Sequence, residues 1–294
     1  METLADIRRK LTGAEDLKSV VRTMKAMAAS NIGQYEQAVN SLGDYNRTIN
    51  LGIIAYFKER QEEKKITEKE RRSTCAIVFG SDQGLVGQFN NSLSDFVSEH
   101  LDKIKGTKII WAVGDRIKAV LEDRGFDIKA LFSVPGSVKA ITPLVSQILL
   151  KSEGSIEVND VDHVYIFHNQ PNLKGTGYSQ KIQQLFPIVE NWKSNLSETE
   201  WPSKLIPQVA GSEKATLLAL IREYLFISLF RASAESLASE NASRLAAMQR
   251  AEKNIDELLD TLNHKFHSIR QSMIDEELFD VVSGFEALKD ELNK

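Results

Sequence analysis

Proline is scarce and confined. All six prolines lie between Pro135 and Pro207, and the first 134 residues have none. A proline in a helix interior costs about 3 kcal/mol, so the two long proline-free arms are permissive for long helices. Beyond Gly211 the only glycine is Gly284. A single cysteine, Cys75, excludes an internal disulfide and fits a reducing compartment. It sits in an apolar run and reads as a buried packing residue rather than a reactive thiol. No stretch of 18 apolar residues exists, so no transmembrane helix is expected. The opening METLADIRRKL carries charge where a signal peptide needs an apolar core. The chain is therefore expected to stay where it is made, or to bind a membrane assembly from one side. The net charge of −4 is mild and gives no electrostatic case for nucleic acid.

What the sequence has in quantity is helix-forming sequence with a heptad rhythm. The stretch from Gly211 to the end is rich in Ala, Leu, Glu, Lys, Arg and Ser, residues that lose little on entering a helix. Within it Ile255, Leu259, Leu262, Phe266, Ile269 and Met273 alternate at spacings of 4 and 3, the seam of a coiled coil. At a rise of about 1.5 Å per residue, a helix of this kind reaches roughly 110 Å and needs a partner along its length. The first arm, Thr3 to Glu70, supplies one. There Leu17, Val21, Met24, Ala28, Asn31, Tyr35, Ala38, Leu42, Tyr45 and Ile49 keep the same alternation, with Asn31 as a polar residue able to fix register. The nearly all-charged Lys58 to Arg72 reads as a solvated helix end or a linker.

The middle, about 71–207, changes character. TCAIVF (Thr74 to Phe79), KIIWAV (Lys108 to Val113), Ile128 to Phe132 and Val161 to Asn169 read as strands. Helical stretches at Ser92–Ile104, Arg116–Arg124 and Ser137–Lys151 alternate with them, which implies βαβ crossovers and a largely parallel sheet. A further strand follows Gly177, and residues 191–207 read as an irregular connection. The expected fold is α/β: an antiparallel coiled coil of the terminal helices, 1–70 and 208–294, with an inserted Rossmann-like domain at 71–207. Charge gives the pair a direction, since Arg8, Arg9, Lys10, Lys18, Arg22 and Lys25 are basic and the last 20 residues are acidic. An antiparallel pair is expected to bring these ends into the same region.

No catalytic constellation emerges. The loop GSDQGLVGQFN (Gly80 to Asn90) follows a strand and precedes a helix, where phosphate loops sit, but it is neither GxGxxG nor GxxxxGK[ST]. It reads as a structural turn in which Ser81 and Asp82 make polar contacts or cap. The five histidines show no metal spacing; His264 and His267 read as an exposed polar face, His163 and His168 as packing or surface residues. Neither a GxSxG elbow nor an HExxH motif is present. No cofactor and no metal is expected, and the pattern favours a mechanical or assembly role.

Three stretches then resemble the γ subunit of F-type ATP synthases, the central rotor shaft. SVVRTMKAMAASNI (Ser19 to Ile32) is similar to the family's TKAMxMVAASK segment, and GSDQGLVGQFNNSL (Gly80 to Leu93) to its SDRGLCGGLN loop. The third, Ser236 to Leu288, resembles the terminal helix, including ENxASRxxAMxxAxxNxxEL and a closing VSG. The resemblance implies a non-catalytic subunit whose terminal helices form a coiled coil inside a ring of three α and three β subunits. It also implies an α/β domain near the ε subunit and the membrane c ring, with no insertion into the membrane. It places the chain as a peripheral membrane protein on the cytoplasmic face of a bacterial inner membrane. Ion flow turning the c ring would turn this shaft, and its asymmetry would drive the β subunits through different nucleotide affinities.

Residue by residue, the resemblance carries over to few positions. Met24 matches a family methionine near the β subunits, and is equally compatible with a plain heptad core. Arg244 matches a family arginine, and is equally compatible with a solvated helix residue. Near the end the family reads close to ITQELTEIVSGA, with Glu277, Val281, Val282, Ser283 and Gly284 agreeing here. Glu276, Phe279 and Phe285 depart from it, and Asp280 keeps the charge of a glutamate. The implied shaft contacts are thus Met24, Arg244, Glu276, Glu277, Phe279 and Asp280. Val86 stands where the family loop has cysteine, and the cysteine-bearing insert of chloroplast γ subunits is absent, so no thiol switch is expected. These departures point to a divergent branch, such as an alternative bacterial, Na⁺-type F-ATPase. The rival readings are a coiled-coil scaffold or adaptor without a rotary role and a ligand-binding α/β enzyme with helical arms.

Overall fold

The computed structural model describes residues 3–58, 73–159, 161–172, 177–187 and 211–292. The charged stretch 59–72 and the connection 191–207 therefore lie outside the described residues. The chain forms two compact units, residues 1–27 with 245–294, and residues 28–244.

The first unit is a helix pair drawn from α1 (Leu4–Ser41) and the last helix, which spans Glu213–Leu292 and is α6 in chain order. Its core is thin and strictly periodic. Ala14, Val21, Met248 and Ile255 form one buried cluster, with Met24, Ala247, Ala251 and Leu259 packed against it. On α1 the buried positions Ile7, Ala14 and Val21 come every seventh residue, as do Met248, Ile255 and Leu262 on α6. Ion pairs fix the antiparallel direction: Lys18 meets Asp256, while Arg22 and Lys25 both reach Glu252. Lys18, Arg22 and Lys25 of the basic stretch thus pair with the middle of α6, and Asp275, Glu276, Glu277 and Asp280 stand exposed beyond this register, not beside these cations as charge alone suggested. The reason is register: Lys18 already faces Asp256, so the seven-residue steps run off the start of α1 before the acidic end is reached. Leu17, placed on the seam by its spacing, is 52% exposed.

The second unit is built on a five-stranded sheet in the order β3-β2-β1-β4-β5. Its strands are β1 (Ser73–Phe79), β2 (Thr107–Val113), β3 (Ile128–Phe132), β4 (His163–Pro171) and β5 (Tyr178–Phe186). The first four are parallel and β5 runs antiparallel along the edge. Every residue of β1 is buried, as expected of a central parallel strand covered on both faces. Alternation divides its side chains. Cys75, Ile77 and Phe79 join Val164, Ile166, Trp111 and Val113 in one core, whereas Ala76 and Val78 join Ile110, Ala112 and Phe167 in the other.

The second of these cores is closed by α3 (Phe89–Asp102) and α4 (Asp115–Glu122), through Leu93, Val97, Leu101, Ile117 and Leu121. The first is closed by α5 (Val138–Asn159), α2 (Gly43–Lys58) and the opening half of α6. The first arm is not one helix: α1 ends at Ser41 and α2 begins at Gly43, with Leu42 in a turn between them. The Leu42 N–H bonds three residues back to Val39, a tightened last turn. Past this break Tyr45 is 45% exposed, and its hydroxyl donates to Glu223 instead of filling the seam.

Candidate functional site

Two places concentrate polar or unburied groups that the packing alone does not require. One is in the first unit and one in the second.

In the first unit, α6 runs bare beyond its seam. Every residue from Arg270 to Gly284 is exposed, including Met273, Ile274, Leu278, Phe279, Val281 and Val282. Leu278 is 62% exposed and Phe279 and Val281 are each 70% exposed, a density of bare apolar surface unusual for a finished surface. Glu276, Glu277 and Asp280 lie in the same stretch. Met24 is half-buried against the seam cluster. Leu17, Val20 and Met27 around it are each more than half exposed, so α1 carries a second apolar stripe beside its seam. That stripe was legible as spacings of 3, 4 and 3, but Leu17 and Met24 were absorbed into the stronger heptad. Glu252, gripped by Lys25 and Arg22, is held well below the usual carboxylate range, at about 2.

In the second unit the site lies at the carboxyl ends of β1 and β4. Between these two strands the chain order of the sheet reverses, and an open α/β sheet has its ligand crevice at such a point. Here that position is occupied by α6. The Ser236 hydroxyl donates to the carbonyl of Phe79, the last residue of β1, at 3.0 Å. The Ser239 hydroxyl shares its one proton between the carbonyl of Asn169 in β4, at 3.1 Å, and that of Glu235 in its own helix, at 2.8 Å, and Ser243 donates to the carbonyl of Val86 in the following loop at 2.6 Å. The loop's own groups are spent internally. The Ser81 N–H bonds Asn90 Oδ1, and Asp82 accepts from the Asp115 and Val134 N–H groups, so the expected turn-capping role is found. At Gly80 any side chain would collide with Ile117, and Gly114, at φ 119°, lies against the Ser81 backbone.

Beside this crevice sits a buried charge cluster that the sequence did not announce. Glu235 is 2% exposed. It accepts hydrogen bonds from His168 Nε2 (2.8 Å), Gln170 Nε2 (3.2 Å) and Arg231 Nε (2.7 Å), with Lys181 Nζ at 3.9 Å. Burial pushes the Glu235 carboxyl up, but the His168 and Arg231 hydrogen bonds and the Lys181 charge outweigh it and hold it at about 2. Burial pushes the His168 imidazole down, more than Glu235 raises it, so the neutral ring donates through Nε2. From sequence His168 read as an ordinary packing or surface residue. Its partner lies 67 positions away, and only the Arg231–Glu235 spacing of four hinted at a pair.

Arg244 is not a solvated helix residue. Its side chain is 13% exposed and donates to Glu240 Oε1 at 2.7 Å. Burial raises the Glu240 carboxyl above its ordinary range and Arg244 pulls it back. The pair lines a cavity of about 180 Å³ with Asn31, Tyr35 and Asp82. Asn31 meets Asn241 at 3.5 Å, a long, weak polar contact on the seam. Cys75 is buried, and burial pushes its thiol up to about 12. His264 and His267 are exposed. Among the described residues no cluster of His, Cys, Asp and Glu is placed to hold a metal, and no helix is long and apolar enough to cross a membrane.

Comparison with known proteins agrees along the whole chain. The chain is 24% identical to the ATP synthase gamma chain of a Sulfurihydrogenibium species, over 97% of this chain and 98% of that one. The gamma chain of Glaesserella parasuis is 27% identical over 96% and 98% of the two chains. Among solved structures, the rotor of the Euglena gracilis mitochondrial ATP synthase superimposes with a TM-score of 0.61 at 18% identity, covering 92% of this chain and 98% of that one. A central stalk and c-ring structure from Tetrahymena thermophila gives 0.56 at 22% identity, over 79% of this chain and 99% of that one. These structures share the fold of this chain. A family model described as ATP synthase matches residues 3–288, nearly the whole sequence, and the chain belongs to that family.

Proposed function

We propose that this chain is the γ subunit, the central rotor shaft, of an F-type ATP synthase. Its task is to couple ion flow through a membrane c ring to ATP synthesis or hydrolysis on β subunits. The observation that carries the reading is the bare end of α6. Leu278, Phe279, Val281 and Val282 stand in water, in a chain whose other large apolar side chains mostly have partners. A helix end of this kind is stable and soluble when another protein surrounds it. A ring of three α and three β subunits supplies that enclosure. The shaft contacts proposed on this basis are Met24, Glu276, Glu277, Phe279 and Asp280, with the exposed stripe at Leu17, Val20 and Met27 beside Met24. The burial of Arg244 against Glu240 favours, for that one residue, a role in holding α6 in shape over direct contact.

The α/β domain would face the ε subunit and the c ring, which makes the chain a peripheral member of a membrane complex on the cytoplasmic face of a bacterial inner membrane. The chain contributes no catalytic group of its own. It acts by presenting a different face to each β subunit, so that nucleotide affinities differ through differential contact. The decisive experiment adds the purified chain to α₃β₃. Stable association and altered ATPase kinetics are expected, and an α₃β₃ preparation that gains neither would refute the reading.

A further inference from the structure

We infer that α6 occupies the ligand crevice of the sheet as a register lock, through Ser236, Ser239 and Ser243 and the Glu235–His168 pair, and that this lock passes torque between the α/β domain and the shaft. The inference rests on the rotor reading above and names the residues that would bear the load in this half of the molecule.

The need for a lock follows from what the helix offers the sheet. Across the strand ends most of its buried residues are small, among them Ala232, Ala234 and Ala238, with Leu237 between them and the larger Tyr224, Ile227 and Leu229 before them. Small side chains allow close approach, and a face on which they predominate is less firmly keyed against a shift of one turn, about 5.4 Å, than a face of large ones. Apolar burial has no direction and resists such a shift weakly. Hydrogen bonds to fixed backbone carbonyls are directional, and three of them come from α6 to β1, β4 and the loop between β1 and α3. Those of Ser236 and Ser239 are buried, so breaking them leaves carbonyls without water to replace the hydroxyl, while that of Ser243 is half-buried.

The order of residues along α6 excludes the neighbouring registers. Arg231, Glu235, Ser239 and Ser243 follow one another at intervals of four, as do Ala232, Ser236, Glu240 and Arg244. Sliding the helix one turn in one direction puts Arg231 where Glu235 meets His168, and Ala232 where Ser236 meets Phe79. Sliding it the other way puts Ser239 against His168 and the Glu240 carboxyl against the Phe79 carbonyl. Each alternative keeps one serine-to-carbonyl bond, because Ser239 and Ser243 are four apart, but loses the Ser236 and Glu235 bonds and sets a wrong group in their closed sites. The device thus specifies one axial and rotational position.

The test uses the full ATP synthase of the source cell, assembled in vesicles with this chain, and reads ion uptake per ATP hydrolysed. Ser236→Ala with Ser239→Ala removes two hydroxyls and leaves no cavity larger than an oxygen atom. His168→Leu removes the donor at similar size, and His168→Gln keeps a donor of similar reach. The lock predicts that the serine pair and His168→Leu hydrolyse ATP near the wild-type rate yet lose at least half of the uptake per ATP, with His168→Gln restoring it. Uptake per ATP equal to wild type in both, or hydrolysis and uptake falling in proportion, would overturn it, the latter showing a stability effect only. If the wild-type chain itself supports no coupled uptake, the rotor reading fails first and the lock falls with it.

Discussion

The two stretches of α6 make opposite use of one helix. From Tyr224 to Asn241 most residues are buried, including Ile227, Leu229 and Leu237. From Arg270 to Gly284 none is, though Leu278, Phe279, Val281 and Val282 are as apolar. The difference is not one of helix propensity, because both stretches are helical to the end of the element. It lies in what covers them. The first is roofed by the sheet, α2 and α5, and several of its polar residues, Glu235, Ser236 and Ser239 among them, are tied to named partners. The second has no partner among the described residues. Stability of the isolated protein therefore resides in one stretch and, on the proposed reading, association in the other.

That contrast can be broken by substitution. Leu229→Ala should cost about 2–5 kcal/mol in chemical denaturation, as truncation of a fully buried leucine does. Leu278→Ala, the same change on the bare stretch, should stay within about 0.5 kcal/mol. Equal effects would mean that the bare stretch has a partner in solution, such as a second copy of the chain.

Acidity tests the buried stretch through His168. Its pKa lies below the ordinary value in the folded protein, so between the two values the unfolded chain binds the extra proton. Stability is then fully present above about pH 6.5 and falls with acidity, by at most ~1.4 kcal/mol per pH unit for one group. Melting temperature measured from pH 7.5 to 5.5 should drop, and His168→Gln should flatten that slope.

Cutting the chain after Met273 sharpens the comparison from the other side. The circular dichroism and melting of the α/β domain should be retained, while retention on α₃β₃ and coupling should fall; Phe279→Ala should reproduce part of that fall. Loss of the domain's dichroism on truncation would contradict the division of labour. Glu252→Gln should have the smallest effect. It releases Arg22 and Lys25 from a half-buried carboxylate at the edge of the seam, and whatever change in melting it causes should shrink at high salt.

The long helices were legible because a heptad writes its partner's position into its own period. Val21, Ile255 and Leu262 could be placed on seams with no knowledge of the rest, and the structure extends their seven-residue steps to Ala14 and Met248. The strands of the parallel sheet were legible for a similar reason: TCAIVF and KIIWAV are apolar on both faces, as a covered sheet demands. The break at Leu42 and the exposure of Leu17 and Tyr45 were not, because a heptad says that a residue can face a partner and not that a partner is there. The Glu235–His168 pair was invisible for a different reason. Both residues are ordinary in their own windows, and the 67 positions between them carry no period.

The sequence by itself determined two proline-free heptad arms around an α/β middle, a loop without phosphate-binding chemistry, and a likeness to rotor shafts. These are local patterns, each readable within a few turns or strands. Only the tertiary structure decided that α6 fills the crevice at the ends of β1 and β4. Only it decided that Arg244 is a buried ion-pair partner, and that the acidic end of α6 runs past the basic start of α1. Each of these depends on which distant residues share a register, and register is fixed by the sum of contacts across the fold, not by the run of any one segment.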